Sequence, residues 1–86
     1  MDIIKGSGFV KSAGLLPHEI KIKLTRAIEI LALDPYDPFL RTKKLSGEFD
    51  GKFSFRVGHD WRVIFYFIGS DTLYLQEVAH RKDIYR

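Results

Sequence analysis

Residues 52–79, KFSFRVGHDWRVIFYFIGSDTLYLQEVA, constrain the fold of this chain more than any other stretch. Apolar side chains recur at every second position: Phe53, Phe55 and Val57, then Trp61, Val63, Phe65 and Phe67, then Leu73 and Leu75. A period of two belongs to a strand with one buried face. The interruptions GHD and GSD supply the glycine and aspartate of tight turns. Three runs joined by two such turns make an antiparallel meander. The middle run is also apolar at Ile64 and Ile68, which marks a central strand buried on both faces.

Register follows from the same pattern, because a one-residue slip would turn the core face outward. A three-residue loop at Gly58–Asp60 pairs Val57 with Trp61, Phe55 with Val63 and Phe53 with Phe65, all apolar. It also sets Arg56 directly against Arg62 on the opposite face. A second turn centred on Ser70 pairs Phe67 with Leu73 and Phe65 with Leu75. The other face then carries Tyr66 beside Tyr74 and Arg62 beside Val78. Continued alternation brings His80 to the side of Arg62, with Arg81 at the strand end. It also puts Glu77 on the apolar face opposite Val63, a poor place for a carboxylate.

The N-terminal half reads as helical. DIIK suits a short first strand, and SGFVKSAGLL a short helix weakened by its glycines. From Pro17, Ile20, Leu24, Ala27, Ile28 and Leu31 follow the 3.6-residue period. Pro35 ends that helix near Asp34. Leu15, Leu16 and Ile22 lie off the stripe and form a spare apolar patch. A long turn-rich connection follows, with Leu45 as its apolar anchor. The expected fold class is α+β: a small antiparallel sheet, the three-strand meander plus an N-terminal strand, with N-terminal helices on one face.

Eighty-six residues allow one domain, 1–86. A hydrophobic fraction of 45%, with 14% aromatic residues, is enough for a core. The absence of cysteine excludes disulfides and thiolate metal sites and fits a reducing cytoplasm. MDIIKGSGFV lacks the apolar region of a signal peptide, and the longest apolar run, VIFYFI, is far short of a membrane span. The chain therefore reads as a soluble cytoplasmic protein without a membrane partner. Its formal net charge is +3 and neither half is a basic tail, so any anion site must be gathered by the fold.

Arg56, Arg62, His80 and Arg81 are that gathering, at one end of the helix-free face. Like charges opposed on a sheet cost stability unless an anion joins them. Guanidinium matches phosphate oxygens in pairs, which points to a nucleic-acid backbone. The plainer alternative is that Asp60, Asp83 or Glu77 neutralises the cluster in surface ion pairs. His59 in the hairpin turn and His18 at the helix start read as solvated residues. Trp61 faces the core.

Most of the chain resembles the RelE/ParE superfamily of bacterial type II toxins. KKLSG, FSFRVGHDWRVIFYF and VAHRKDIYR carry the resemblance, with LPHEIKIKLTRAIEILALDP similar too. It implies a small antiparallel sheet packed by N-terminal helices, and one of two activities. RelE-like members are ribosome-dependent endoribonucleases that cut mRNA in the decoding site of the small subunit. ParE-like members inhibit DNA gyrase. On the nuclease branch, Arg62 corresponds to the arginine at the scissile phosphate, Arg81 to the transition-state arginine and Tyr85 to the tyrosine near the attacking hydroxyl. Arg56 takes the place of a strand lysine, and His80 that of a histidine found in another branch. Where some members have a second strand lysine, this chain has Ser54. Lys43, Lys44, Lys52 and Lys82 are the candidate contacts to RNA or ribosome phosphates. No metal or cofactor is implied. The resemblance also implies a cognate antitoxin that wraps the domain, and a catalytically silent binding module of the same fold is a third reading.

Overall fold

The computed structural model of the chain describes residues 1–84. Strand β1 (Asp2–Lys5) leads into helices α1 (Ser7–Gly14) and α2 (His18–Leu33). Two 3₁₀ turns, Pro38–Leu40 and Gly47–Phe49, flank the two-residue strand β2 (Lys43–Lys44). The meander follows as β3 (Phe53–Val57), β4 (Trp61–Ile68) and β5 (Thr72–His80). These strands form one sheet in the order β1-β5-β4-β3-β2.

The β3–β4 ladder has the register the apolar pattern dictates. Val57 pairs with Trp61, Phe55 with Val63, Phe53 with Phe65, and Arg56 with Arg62. Phe67 pairs with Leu73, Phe65 with Leu75 and Tyr66 with Tyr74, also as expected. Two strands depart from the sheet expected from the sequence. β1 lies parallel to β5, and α1 and α2 carry the chain from that edge of the sheet across to β2 at the other. β2 pairs with the start of β3, Lys43 opposite Ser54 and Lys44 opposite Phe53, inside what the sequence suggested was only a connection.

A register shift between Ile64 and Phe65 corrects the far half of β5. Gln76 is the extra residue of a β-bulge, so the alternation inverts beyond it. Glu77 lies opposite Ile64, off the apolar face, and Val78 takes the place opposite Val63. Burial explains the choice: Val78 is 3% exposed, whereas simple alternation would have buried the Glu77 carboxylate without a partner. Helix α1 fits the irregularity. The Val78 amide donates to Ser12 Oγ at 3.1 Å, and that hydroxyl donates to the Gly8 carbonyl at 2.8 Å.

The main core lies between the helices and one sheet face. Leu24, Ala27 and Leu31 of α2 and Phe9 of α1 meet Phe55, Val63, Phe65 and Leu75. Leu16 belongs to this core at 6% exposure, contrary to its expected place in a spare patch. The helix stripe does not reveal this, because Leu16 sits on the α1–α2 link. On the other sheet face a smaller cluster joins Leu45, Ile64 and Ile84, so the chain folds back over the helix-free side.

Gly6 marks a close approach between the β1–α1 corner and β5. A Cβ there would overlap the Tyr74 hydroxyl and stand 2.8 Å from the Leu75 carbonyl oxygen. Gly6→Ala is expected to destabilise the domain by about 1–3 kcal/mol, since backbone as well as side chain must yield. Thermal unfolding checks this: Tm should fall by roughly 5 °C or more.

Candidate functional site

Three arginines converge on the end of the sheet at the 58–60 loop. Arg56 and Arg62 oppose each other across β3 and β4. Arg62 Nη1 donates to the carbonyls of His59, at 3.1 Å, and Trp61, at 3.0 Å, which bends its guanidinium toward the loop. Arg81 reaches the same loop from the other side. Its amide donates to the Asp60 carbonyl at 2.7 Å, and its Nε lies 3.4 Å from Asp60 Oδ1. A tight loop with Gly58 at positive φ thus provides the two carbonyls to which the neighbouring arginines are tied.

Arg56 has no such tether. Its Nε is buried and has no hydrogen-bond partner among the described residues. A buried charged N–H left in this way is costly. It sits at the open edge of β3, because β2 pairs only with Phe53 and Ser54 and stops short of it. Of the carboxylates expected to neutralise the cluster, Asp60 does so for Arg81. It also accepts from His59 Nδ1 at 2.9 Å. Both partners of the Arg81 pair are about half exposed, so an incoming anion can replace Asp60 with little loss.

The His59 hydrogen bond, then the charges of His59, Arg81 and His80, lower the Asp60 pKa against an opposing desolvation. A carboxyl with a depressed folded-state pKa contributes stability above its unfolded pKa and loses it as pH falls through the folded value. The Asp60–Arg81 contact is therefore intact at neutral pH and released only below the usual carboxylate range. In an NMR titration the Asp60 carboxyl should show its midpoint at lower pH than in the unstructured peptide GHDWR. A midpoint at or above the peptide's would contradict this contact.

His80 is where the bulge matters most. It pairs with Trp61, not on the face of Arg62, and Ala79 is the residue opposite Arg62. The rings of His80 and Trp61 meet edge to face with centroids 5.3 Å apart. The Lys82 amide donates to His80 Nδ1 at 3.2 Å, which places the proton of the neutral ring on Nε2. The expected grouping of His80 with Arg62 on one face is thus corrected. His80 borders the arginine cluster from the helix side. Tyr85, the remaining candidate, lies outside the described residues.

The candidate lysines occupy different places. Lys43 and Lys44 are exposed on β2, Lys52 is half-buried just before β3, and Lys82 is exposed in the turn after β5. The β2–β3 register contributes what sequence reading missed: Lys43 is the cross-strand partner of Ser54, on the same sheet side as Arg56 and Arg62. Two residues are too few to show a strand period, so only the KK dipeptide before LSG hinted at it. Along the same face, Tyr66 and Tyr74 stack with centroids 5.0 Å apart. Among the described residues, no group of three or more His, Asp or Glu side chains is placed to hold a metal ion. No helix among them is long and apolar enough to cross a membrane.

No protein-family model and no curated protein sequence matches the chain. Solved structures do. YafQ from E. coli superposes with a TM-score of 0.82 at 18% identity, over 99% of this chain and 98% of that one. The RelB–RelE antitoxin–toxin complex from Methanococcus jannaschii gives 0.77 at 28% identity, over 95% and 94%. A YoeB/ParE toxin from Agrobacterium tumefaciens gives 0.80 at 15% identity, over 93% and 98%. All three align over nearly the whole length of both chains. The chain is RelE/ParE-like: it carries the fold of these toxins.

Proposed function

We propose that this chain is the toxin of a toxin–antitoxin pair and acts in the cytoplasm as a ribosome-dependent mRNA endoribonuclease. One observation carries the reading: Arg56 and Arg62 are directly opposed on the sheet, and the Arg56 Nε is buried without a partner among the described residues. An arrangement that repels itself when empty becomes favourable around a phosphate. The fold likeness to RelE and YafQ supports the same reading.

The chemistry needs little beyond placed charge. The RNA 2′-OH loses its proton to a base, attacks the adjacent phosphorus and expels the 5′-oxygen, which takes up a proton. The products are a 2′,3′-cyclic phosphate and a 5′-hydroxyl. Arg62 and Arg56 hold the non-bridging oxygens, and Arg81 leaves Asp60 to stabilise the charge that develops on them. Lys43, beside Ser54, restores a cation where the strand itself lacks one. Tyr85, the candidate that the family resemblance supplies, is the first candidate for the base. His80, with Nδ1 accepting from the Lys82 amide, acts only through Nε2, whose N–H can hydrogen-bond the leaving oxygen. Lys44, Lys52 and Lys82 contact RNA or ribosome phosphates around this centre.

Restraint of such an activity requires a partner. The antitoxin–toxin complexes of similar fold support a cognate antitoxin for this chain. The exposed Leu15 and Ile22 offer it apolar contacts, and the chain's net positive charge favours an acidic segment.

Induced expression in a bacterial host, with labelled methionine and labelled thymidine followed in parallel, tests the reading. Methionine incorporation should stop first and depend on Arg62. A primary stop in thymidine incorporation would contradict it and indicate gyrase instead.

A further inference from the structure

Around the free edge of β3 from the arginine face, a hollow opens between that edge and α2. Its volume is about 290 Å³, and it is lined by Lys23, Arg26, Arg41, Arg56 and Phe39 among others. Every charged group in its lining is a cation. Among the described residues, none of the four makes an ion pair; the pairs formed there are His59–Asp60 and Arg81–Asp60. Glu19 borders the next hollow along α2, beside Lys23 and Arg26.

The fold builds this hollow from distant parts of the chain. Lys23 and Arg26, three apart on α2, share one helix face. The Lys23 stem lies over the hairpin, its Cδ and Nζ 3.7 and 3.8 Å from where a Gly58 Cβ would stand. Arg41 follows the first 3₁₀ turn in the left-handed region, φ 50°, and enters from the loop. Arg56 closes the fourth side and carries the buried, unpartnered Nε. Four unpaired like charges around one cavity repel each other, and the orphaned N–H adds its own cost. The repulsion is relieved by one kind of occupant, an anion with several oxygens.

We infer that this hollow is a second phosphate subsite, which holds the backbone of single-stranded RNA continuing past the Arg56–Arg62 pair. The inference rests on the nuclease reading for its ligand class. Three guanidiniums suit phosphate oxygens in bidentate geometry. Phe39 is 64% exposed at the rim and presents an aromatic face to a base, as single-strand binders do. Arg56 belongs to both sites, so the path around the β3 edge is continuous. An acidic peptide would use the charges but not explain the aromatic rim.

Fluorescence anisotropy with a labelled oligouridine 12-mer, without ribosomes, tests the subsite across 50–200 mM salt. Arg26→Ala/Arg41→Gly removes two contacts, and glycine suits the left-handed backbone at position 41. The double variant should bind roughly tenfold more weakly or worse, and its slope in log K against log salt should be shallower by about 1.4. Phe39→Ala should cost about tenfold with the slope unchanged. Lys23→Gln, at an exposed position and keeping most of the side-chain stem, gives a third reading, with a slope change of about 0.7. Unchanged affinity and slope in these variants would overturn the subsite. So would failure of the wild-type chain to bind RNA, or displacement of bound RNA by equimolar decaglutamate that needs Arg26 and Arg41. RNA binding that depends on Arg26 and Arg41, without cleavage on ribosomes, would leave the subsite standing and remove the nuclease. Cleavage with binding unaffected in the double variant would do the reverse.

Discussion

Arg62→Ala is expected to slow single-turnover cleavage of mRNA on programmed ribosomes by about 10²–10³-fold, the usual cost of removing one preorganised donor to a developing oxyanion. The guanidinium is aimed by its bonds to the His59 and Trp61 carbonyls and stands opposite Arg56. Its removal relieves repulsion, which offsets the two hydrogen bonds to the loop that it gives up, so the loss should fall on chemistry and not on folding. Unfolding by urea should give a midpoint equal to or slightly above the wild type. A variant that cleaved within threefold of wild type would show that the facing pair does not hold the scissile phosphate.

Phe65→Ala should have the largest effect on folding, about 3–5 kcal/mol. Phe65 is fully buried in the central strand. Its ring lies 5.7, 5.8 and 5.8 Å from those of Phe53, Phe55 and Phe67. Nothing in a sheet interior can close the space a lost ring leaves. Against a total stability of about 5–15 kcal/mol, and a small domain's modest share of it, most of the margin disappears. The urea midpoint should drop by about 2 M. A drop below 0.5 M would mean that β4 does not form the centre of the core.

The β3–β4 ladder was legible because only one register turns Phe53, Phe55, Phe65 and Phe67 to the same face, and Arg56 against Arg62 follows from it without further assumption. The far half of β5 was harder. Leu73, Leu75 and Val78 are spaced by two and then three residues, which is the trace of the bulge. Gln76 and Glu77, both polar, hide which of them is extra. That single residue moves His80 to the face of Trp61 and Glu77 off the core. Lys43 could not be placed beforehand, since a two-residue strand has no period of its own. The cationic hollow draws on positions 23, 26, 41 and 56, which meet only through tertiary packing, and no local pattern announces such a meeting.

The proposed activity requires the arginine face to act on an RNA phosphate. Its most direct test is to incubate the purified chain with programmed ribosomes, map the mRNA 5′ ends and determine the chemistry of the new 3′ ends. Ribosome-dependent cuts that end in a 2′,3′-cyclic phosphate, and vanish in Arg62→Ala, are the expected result. Intact mRNA with folded protein, or cuts that persist in Arg62→Ala, would contradict it.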